Sequence, residues 1–275
     1  MKNARSESVA WVCETCGVQT APTMFPPKDC PICLDERQYV GWMGQRWTTV
    51  DDVRQNREII FAKEAGVTTM VLQPGFAINQ RAFLIPHAGG HIMWECLATV
   101  TEEAVARIRA LGRITHIAIS HPHFYAAMVE WSAALGGVPI YLHAEDRYWV
   151  QRPSEHIRFW DGDAVSLTPS IQLVRLAGHF DGSAGLWWAD GPRKGGSLFP
   201  GDAIQVAMDR RFTTFMYSYP NGIPLNAAAI MALRARVQPL EFDDVFGFST
   251  GRQIIGHAKA RVNASFDRYR SAVAV

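Results

Sequence analysis

Hydrophobic and polar residues along the chain form alternating strand-like and helix-like segments from about residue 65 onward. Apolar runs bounded by glycine and turn residues predict strands at 68–72, 81–85, 92–96, 114–119, 138–142, 171–177, 186–188, 197–199 and 242–248. Segments with helical spacing predict helices at 101–112, 126–135, 226–237 and 257–272. Residues 41–64 are expected to form a bridge that contains one helix start. The pattern predicts a mixed α/β domain whose later half is more antiparallel.

Several predicted strands end at a potential metal ligand. His121 and His123 follow the strand at 114–119, and residues two apart in an extended chain project to the same side. His179 follows the strand at 171–177, and Asp202 follows the strand at 197–199. A single His-x-His motif is more often a surface turn than a metal site. Three strand ends that each carry a potential ligand instead favour a site for one metal ion at a shared edge of the fold. His143, at the end of another predicted strand, is a weaker candidate.

Four of the five cysteines form two Cys-x-x-Cys pairs near the start of the chain, Cys13 with Cys16 and Cys30 with Cys33. Two such pairs supply four sulfur ligands, which suits zinc, although iron remains an alternative and a redox dithiol fits poorly. So short a segment needs metal binding to fold. Residues 1–45 are therefore predicted to form a small metal-binding module, structural or functional, ahead of a larger domain at 46–275.

Composition narrows the classes of protein. The chain has 275 residues, of which 48% are hydrophobic and 19% charged, and its net charge is +1. These values predict a globular protein with no strong attraction to nucleic acid or to an anionic membrane. No apolar run has the length of a membrane span, and the polar start at Met1–Glu7 predicts no secretory signal. With paired cysteines, this favours a cytoplasmic protein. The aromatic content favours a homodimer.

The strand-end residues resemble the motif series of the metallo-β-lactamase superfamily over about residues 65–275. The family pattern is His-x-His-x-Asp-His, then Gly-His, then Gly-Asp, then a late His. This chain has His121-Pro122-His123-Phe124-Tyr125-Ala126, then Gly178-His179, then Gly201-Asp202. The segment from Gly89 to Cys96 resembles the early Gly-Asn-x-x-x-Asp hairpin of the family, with His91 and Glu95 in the polar places.

The resemblance implies a four-layer αβ/βα sandwich with the metal at one edge. It implies that His121, His123 and His179 hold the first ion, with Asp202 as a further ligand. Tyr125-Ala126 replaces the Asp-His that normally serves a second ion, so one ion is expected, or a second held weakly. Zinc is expected, with iron or manganese as alternatives. His257 comes later than the late His of the family pattern and falls at a predicted helix start, where a capping or supporting role is favoured over ligation.

The resemblance also implies a metal-dependent hydrolase. Zinc with three imidazole ligands and an open position lowers the pKa of bound water to about 7. The hydroxide is expected to attack an ester, thioester or lactone carbonyl of a small molecule, with Asp202 orienting it or taking its proton. Tyr125 is expected to ligate metal, to donate to the oxyanion, or only to fill the space of the lost site. The alternatives are nucleic-acid processing, which the balanced charge disfavours, and a non-catalytic metal-binding or interaction protein.

Overall fold

The structure, a computed structural model, describes residues 8–273, and the polar start that bears on the signal prediction lies outside that range. The first elements are short. They are β1 (Val12–Cys13), α1 (Pro31–Leu34), β2 (Trp47–Thr48) and α2 (Val50–Gln55). β1 pairs antiparallel with β2. The Thr49 side chain accepts from the backbone N–H of Asp52 and caps α2, which confirms the helix start predicted there.

The first sheet has seven strands that pair in chain order. They are β3 (Glu58–Glu64), β4 (Val67–Gln73), β5 (Arg81–His87), β6 (Gly90–Trp94), β7 (Ile114–Ala118), β8 (Ile140–His143) and β9 (Ile157–Trp160). β3 to β6 are antiparallel, and the pairs β6–β7, β7–β8 and β8–β9 are parallel. The parallel crossovers carry α3 (Glu102–Leu111), which Thr101 caps, and α4 (Met128–Ala134). Short 3₁₀ turns cover Pro122–Phe124 and Ala144–Trp149.

The second sheet has six strands in the order β10-β11-β12-β13-β18-β19. Its first four are β10 (Ala164–Thr168), β11 (Ile171–Arg175), β12 (Ala184–Trp188) and β13 (Ser197–Phe199). Two small hairpins follow, β14 (Gln205–Val206) with β15 (Thr213–Thr214) and β16 (Met216–Ser218) with β17 (Ile223–Pro224). The described chain ends with α5 (Ala227–Val237), β18 (Asp244–Phe246), β19 (Gln253–Ile255) and α6 (Ala258–Val273). Only the pair β13–β18 is parallel among the described pairs of this sheet.

The two sheets pack face to face around an aromatic core. Phe83 and Trp94 of the first sheet share one buried cluster with Leu186, Phe199 and Phe246 of the second. The rings of Phe83 and Phe199 meet edge-on with centroids 5.1 Å apart, and Phe199 stacks on Phe246 at 4.8 Å. Because such rings bury large apolar areas and prefer these geometries, they hold the sheets together.

Helices cover the outer face of each sheet. α3 and α4 pack on the first sheet, where Ile108 and Trp131 join one cluster with Met93. α5 and α6 pack on the second sheet, where Leu233 and Val262 share another cluster. The layers are therefore helix, sheet, sheet and helix, which confirms the predicted four-layer αβ/βα sandwich. Among the described residues, no helix combines the length and the apolar character needed to cross a membrane.

The predicted bridge at 41–64 holds a full edge strand, β3, so that part of the interpretation was wrong. β3 carries Glu58, Lys63 and Glu64 and is mostly exposed or half-buried, because it pairs on one side only. Its polar residues hide the hydrophobic alternation by which a strand is recognised. The edge strands β9 and β10 were missed for the same reason. The division at residues 45 and 46 stays a prediction, although β1 pairs with β2 across that point.

Candidate metal centre

The ends of three strands bring four predicted ligands together at one edge of the sandwich. His121 and His123 follow β7, His179 follows β11, and Asp202 follows β13. One ligand atom from each of the four side chains lies within 4.8 Å of the other three, and all four residues are buried. The juxtaposition expected from the sequence is therefore present, whereas their role as ligands stays a prediction.

The spacing of the donor atoms fits one metal ion. His121 Nε2 lies 3.4 Å from Asp202 Oδ2, and His123 Nδ1 lies 3.3 Å from His179 Nε2. Zinc–nitrogen bonds of about 2.0–2.1 Å in a tetrahedron place neighbouring donors about 3.3 Å apart. Within residues 8–273, His121 Nε2 has no hydrogen-bond partner although it is buried. Buried polar atoms normally have a partner, so this donor set fits a cation.

Hydrogen bonds on the far side of the rings orient two of the histidines. His179 Nδ1 donates to the backbone carbonyl of Tyr217 at 2.8 Å, which leaves the lone pair on Nε2 facing the other ligands. His121 Nδ1 lies 2.7 Å from Ser120 Oγ. The Tyr219 hydroxyl donates to the backbone carbonyl of Asp202 at 2.9 Å and fixes that loop. Such outer contacts set the tautomer and direction of a metal ligand.

The electrostatics favour the protonation states that a metal needs. Burial and the neighbouring His121 imidazole lower the pKa of His179 to about 3, and burial also lowers the pKa of His123 well below its ordinary value. For Asp202, burial raises the pKa, but His121 and His179 outweigh it, so the net pKa is lowered. At neutral pH two of the histidines are therefore neutral and the carboxylate is ionised, which is the state that binds a cation.

Two further residues shape the strand ends. Glu95 is buried, and its carboxyl Oε2 accepts from the backbone N–H of Ser120 at 3.1 Å, directly before His121. Burial raises the pKa of Glu95 to about 8. Gly201 has φ +54°, and a Cβ there would lie 2.6 Å from the Ser120 Cβ. Only glycine tolerates both the left-handed backbone and this close approach, by which Asp202 is brought against His121.

Tyr125 is not part of the cluster formed by His121, His123, His179 and Asp202. Its hydroxyl donates to the backbone carbonyl of Asp146 at 3.4 Å, its ring is 2% exposed, and burial raises its pKa well above the ordinary value. A neutral buried phenol matches the space-filling alternative, and a catalytic role for Tyr125 stays a prediction. Sequence reasoning missed Asp146, whose carboxylate Oδ1 accepts from the backbone N–H of Gly182 at 2.8 Å. Its position in a turn three residues after a strand end was the available signal.

The remaining histidines of interest lie outside the ligand cluster. His143 Nε2 donates to the backbone carbonyl of Gly162 at 3.0 Å, and its Nδ1 accepts from the backbone N–H of Glu145. His257 is exposed and directly precedes α6, and its backbone N–H donates to Asp243. Neither residue is part of the cluster of candidate ligands, and their roles stay predictions.

The cysteines form a second candidate centre, which we call the sulfur centre: Cys13, Cys16, Cys30 and Cys33. The Sγ atoms are 3.6 Å apart in the pair Cys13–Cys33 and 3.7 Å apart in the pair Cys16–Cys30. Zinc–sulfur bonds of about 2.3 Å in a tetrahedron place the sulfurs about 3.8 Å apart. All four thiols are free and buried, and Gln45 Nε2 donates to Cys13 Sγ at 3.2 Å. The geometry fits a tetrahedral metal site.

Comparisons with known proteins agree with this architecture. The fold resembles the DIM-1 metallo-β-lactamase, with a TM-score of 0.56 and 14% identity over 78% of this chain and 96% of that one. It also resembles FIM-1 from Pseudomonas aeruginosa in its mono-zinc form, with a TM-score of 0.55 and 14% identity over 80% of this chain and 97% of that one. TTHA1623 in a di-iron-bound form gives a TM-score of 0.50 and 21% identity over 67% and 93% of the two chains.

The fold and the strand-end cluster thus define a protein of the metallo-β-lactamase fold that carries an additional four-cysteine cluster. No protein-family model matches the sequence. The uncharacterized protein YmaE of Bacillus subtilis (strain 168) is 42% identical over 266 residues, which cover 96% of each chain. The chain belongs to the same family as YmaE.

Proposed function

We propose that the protein is a metal-dependent hydrolase that acts on an ester, thioester or lactone carbonyl of a small molecule. The observation that carries the proposal is the buried set of three imidazoles and one carboxylate at the strand ends. Metal-activated hydrolysis requires a donor set of this kind with one coordination position left for water or substrate.

His121, His123 and His179 would hold the ion, with Asp202 beside them. The ion, when bound, supplies Lewis acidity that activates water and polarises the carbonyl. Gln205 Nε2 donates to Asp202 Oδ1 at 3.2 Å, which leaves Oδ2 directed at the histidines. Because its pKa is lowered, Asp202 is ionised at neutral pH and can orient the nucleophile or accept its proton.

We propose one ion at this centre. Ala126 offers no donor at the place where the family pattern has a histidine, and the Tyr125 hydroxyl is engaged with Asp146. Among the proteins of similar fold, both one-ion and two-ion forms occur, since FIM-1 has a mono-zinc form and TTHA1623 a di-iron form. Zinc fits the donor set best, with iron or manganese as alternatives.

A small-molecule substrate is supported by the recess that adjoins the His179 loop. The recess has a volume of about 480 Å³, and its lining includes Gly178, Asp181, Tyr217 and Arg236. This volume suits a small ligand. A larger recess of about 710 Å³ lies away from the ligand cluster, between the N-terminal segment, α3 and α4. We give the smaller recess more weight because it shares Tyr217 with the hydrogen bond that orients His179.

The test combines metal analysis with a panel of aryl esters, thioesters and lactones. In the zinc-loaded full-length protein, His121→Ala and His179→Ala should each remove one ion per chain and abolish hydrolysis, while the ion at the sulfur centre stays. His257→Ala is the matched control, because it removes an exposed imidazole outside the cluster. Full activity in His121→Ala, or a native protein that binds only the sulfur-held ion, would contradict the proposal. Two ions without turnover would favour a non-catalytic metal-binding protein.

A further inference from the structure

The sulfur centre is joined by the side chain of Gln80 to the candidate site of His121, His123, His179 and Asp202, which we call the histidine centre. Gln80 is 3% exposed, and its Nε2 donates to the backbone carbonyl of Cys16 at 2.6 Å and to the backbone carbonyl of His123 at 3.1 Å. One amide group thus fixes a cysteine loop and a histidine ligand at the same time. Gly17 allows the approach, because it has φ +79° and a Cβ there would lie 2.9 Å from Gln80 Nε2.

A second connection runs through Arg37, which lies four residues after Cys33. Its guanidinium pairs with Asp35 at 2.6 Å, and its Nη1 donates to the backbone carbonyl of His179 at 3.3 Å. The guanidinium carbon lies 3.9 Å from the centre of the Phe180 ring, within the range of a cation–π contact. The segment that leaves the sulfur centre therefore packs directly on another of the histidine ligands.

The same segment is also tied to the loop that faces Asp202. Asn221 Nδ2 donates to the backbone carbonyls of Glu36 at 2.9 Å and Gln38 at 2.8 Å. Asn221 belongs to the hairpin region whose Tyr219 hydroxyl donates to the Asp202 carbonyl. His123 and His179 are thus each one hydrogen-bonded side chain away from residues 16–38, and Asp202 is connected to them indirectly, through the Tyr219–Asn221 hairpin.

The sulfur centre holds these connections in place. Between Cys16 and Cys33 the described regular structure is the one-turn helix α1, which has no side-chain cap at its start. A helix of one turn does not persist by itself, so bound metal would add to the burial of Val18 and Ile32 in holding this segment. Losing the ion there would release the Cys16 carbonyl from its position and free the segment that carries Arg37.

We propose that the metal ion at the sulfur centre sets how tightly the histidine centre retains its own ion, with Gln80 and Arg37 as the positioning residues that carry the coupling. The inference rests on the proposed function only in requiring an ion at the histidine centre. Contacts that orient metal ligands typically change affinity by about 10–100-fold when they are removed. By linkage the coupling is reciprocal, but a four-thiolate zinc site is tight enough to keep its ion when the histidine centre is empty.

The experiment follows zinc release from the full-length, zinc-loaded protein. A chromogenic chelator, 4-(2-pyridylazo)resorcinol, takes the ion from the histidine centre, and a thiol-blocking reagent then releases the ion from the sulfur centre. Gln80→Leu keeps the side-chain size and removes the donor. Release from the histidine centre should become about tenfold faster, while release from the sulfur centre and the melting temperature stay close to native.

Arg37→Met tests the second connection and should also accelerate the first release phase. Gln172→Leu is the matched control, since Gln172 bonds to Ser166 in the second sheet, and both phases should stay native. Cys30→Ser tests the cause directly, and should weaken retention at the histidines in addition to emptying the sulfur centre.

Two results overturn the inference. One is a folded Gln80→Leu protein whose histidine centre releases zinc within about twofold of the native rate, well below the range for ligand-orienting contacts. The other is a Gln80→Leu protein that loses the sulfur-held ion first, because Gln80 would then support that centre alone. A native protein with a single release phase would instead refute the metal centre of the proposed function, which distinguishes the two failures.

Discussion

The buried carboxyl group of Asp146 makes stability depend on pH in a way that one substitution tests. Asp146 is 1% exposed, and its Oδ2 has no hydrogen-bond partner among residues 8–273. Burial, together with the charge of Asp181, raises its pKa from 3.8 to about 7. Asp146→Asn keeps an oxygen that accepts from the backbone N–H of Gly182 and removes the titration.

The sign of the effect follows from proton binding. Between about pH 4 and pH 7 the folded protein holds a proton on Asp146 that the unfolded chain has released. Stability therefore falls as pH rises through this window. A rise of about three pKa units corresponds to roughly 4 kcal/mol. Relative to native, the free energy of unfolding of Asp146→Asn should increase with pH and level off at roughly 4 kcal/mol above about pH 7.

Urea unfolding at a fixed zinc concentration, repeated from about pH 5 to pH 8, measures this difference. Taking the difference between variant and native removes the pH effects of the other titratable groups, which the two proteins share. Asp190→Asn is the control, because it makes the same chemical change at an exposed aspartate. A difference that stays constant over this range, or an Asn variant that is the less stable protein at the alkaline end, would refute the reasoning.

Three other changes test the scaffold. Gly201→Ala should lower the free energy of unfolding by about 1–3 kcal/mol, because its Cβ would clash with Ser120 in a left-handed backbone. It should also release the ion of the histidine centre before that of the sulfur centre; thermal unfolding measures the first effect and metal analysis the second. Thr101→Ala should cost about 1 kcal/mol by loss of the α3 cap, measured by urea unfolding, and an unchanged midpoint would contradict it. The double change Tyr125→Asp with Ala126→His should add no second ion and should lower the melting temperature, since both positions are buried; a stable protein with one more zinc ion per chain would contradict it.

Much of the fold was predictable because its central elements are buried on one or both faces. β5, β7 and β11 have strong apolar runs, and α3 has both its cap and a terminal glycine. The strands that were missed lie at sheet edges, where a strand pairs on one side and can carry polar residues on exposed positions. β3 and β10 are of this kind. Their positions depend on pairing with a neighbour, which hydrophobic periodicity does not encode.

The candidate ligands were predictable because they sit directly after strands, where chain order and family resemblance agree. The residues that connect the two centres were not. Gln80 and Arg37 lie in segments without regular periodicity, and their contacts with His123 and His179 span 43 and 142 positions in the sequence. The burial of Asp146 was not predictable either, because it comes from packing against the turn after His179, which is distant in the sequence. Such roles follow from tertiary contacts that a single sequence leaves open.

The departure from the family motif coincides with the place where the N-terminal segment attaches. The backbone carbonyl of Ala126 accepts from the backbone N–H of Gln19 at 3.2 Å, three residues beyond Cys16. Ala126 itself is buried in the same apolar cluster as the cysteines, with φ +38°, and Tyr125 fills the adjoining space. A histidine side chain at 126 would have to displace this packing, and an aspartate at 125 would be a buried charge without a partner. Tyr125 and Ala126, which differ from the Asp-His of the family pattern that the sequence resembles, therefore lie where the N-terminal segment with its four cysteines packs on the larger domain.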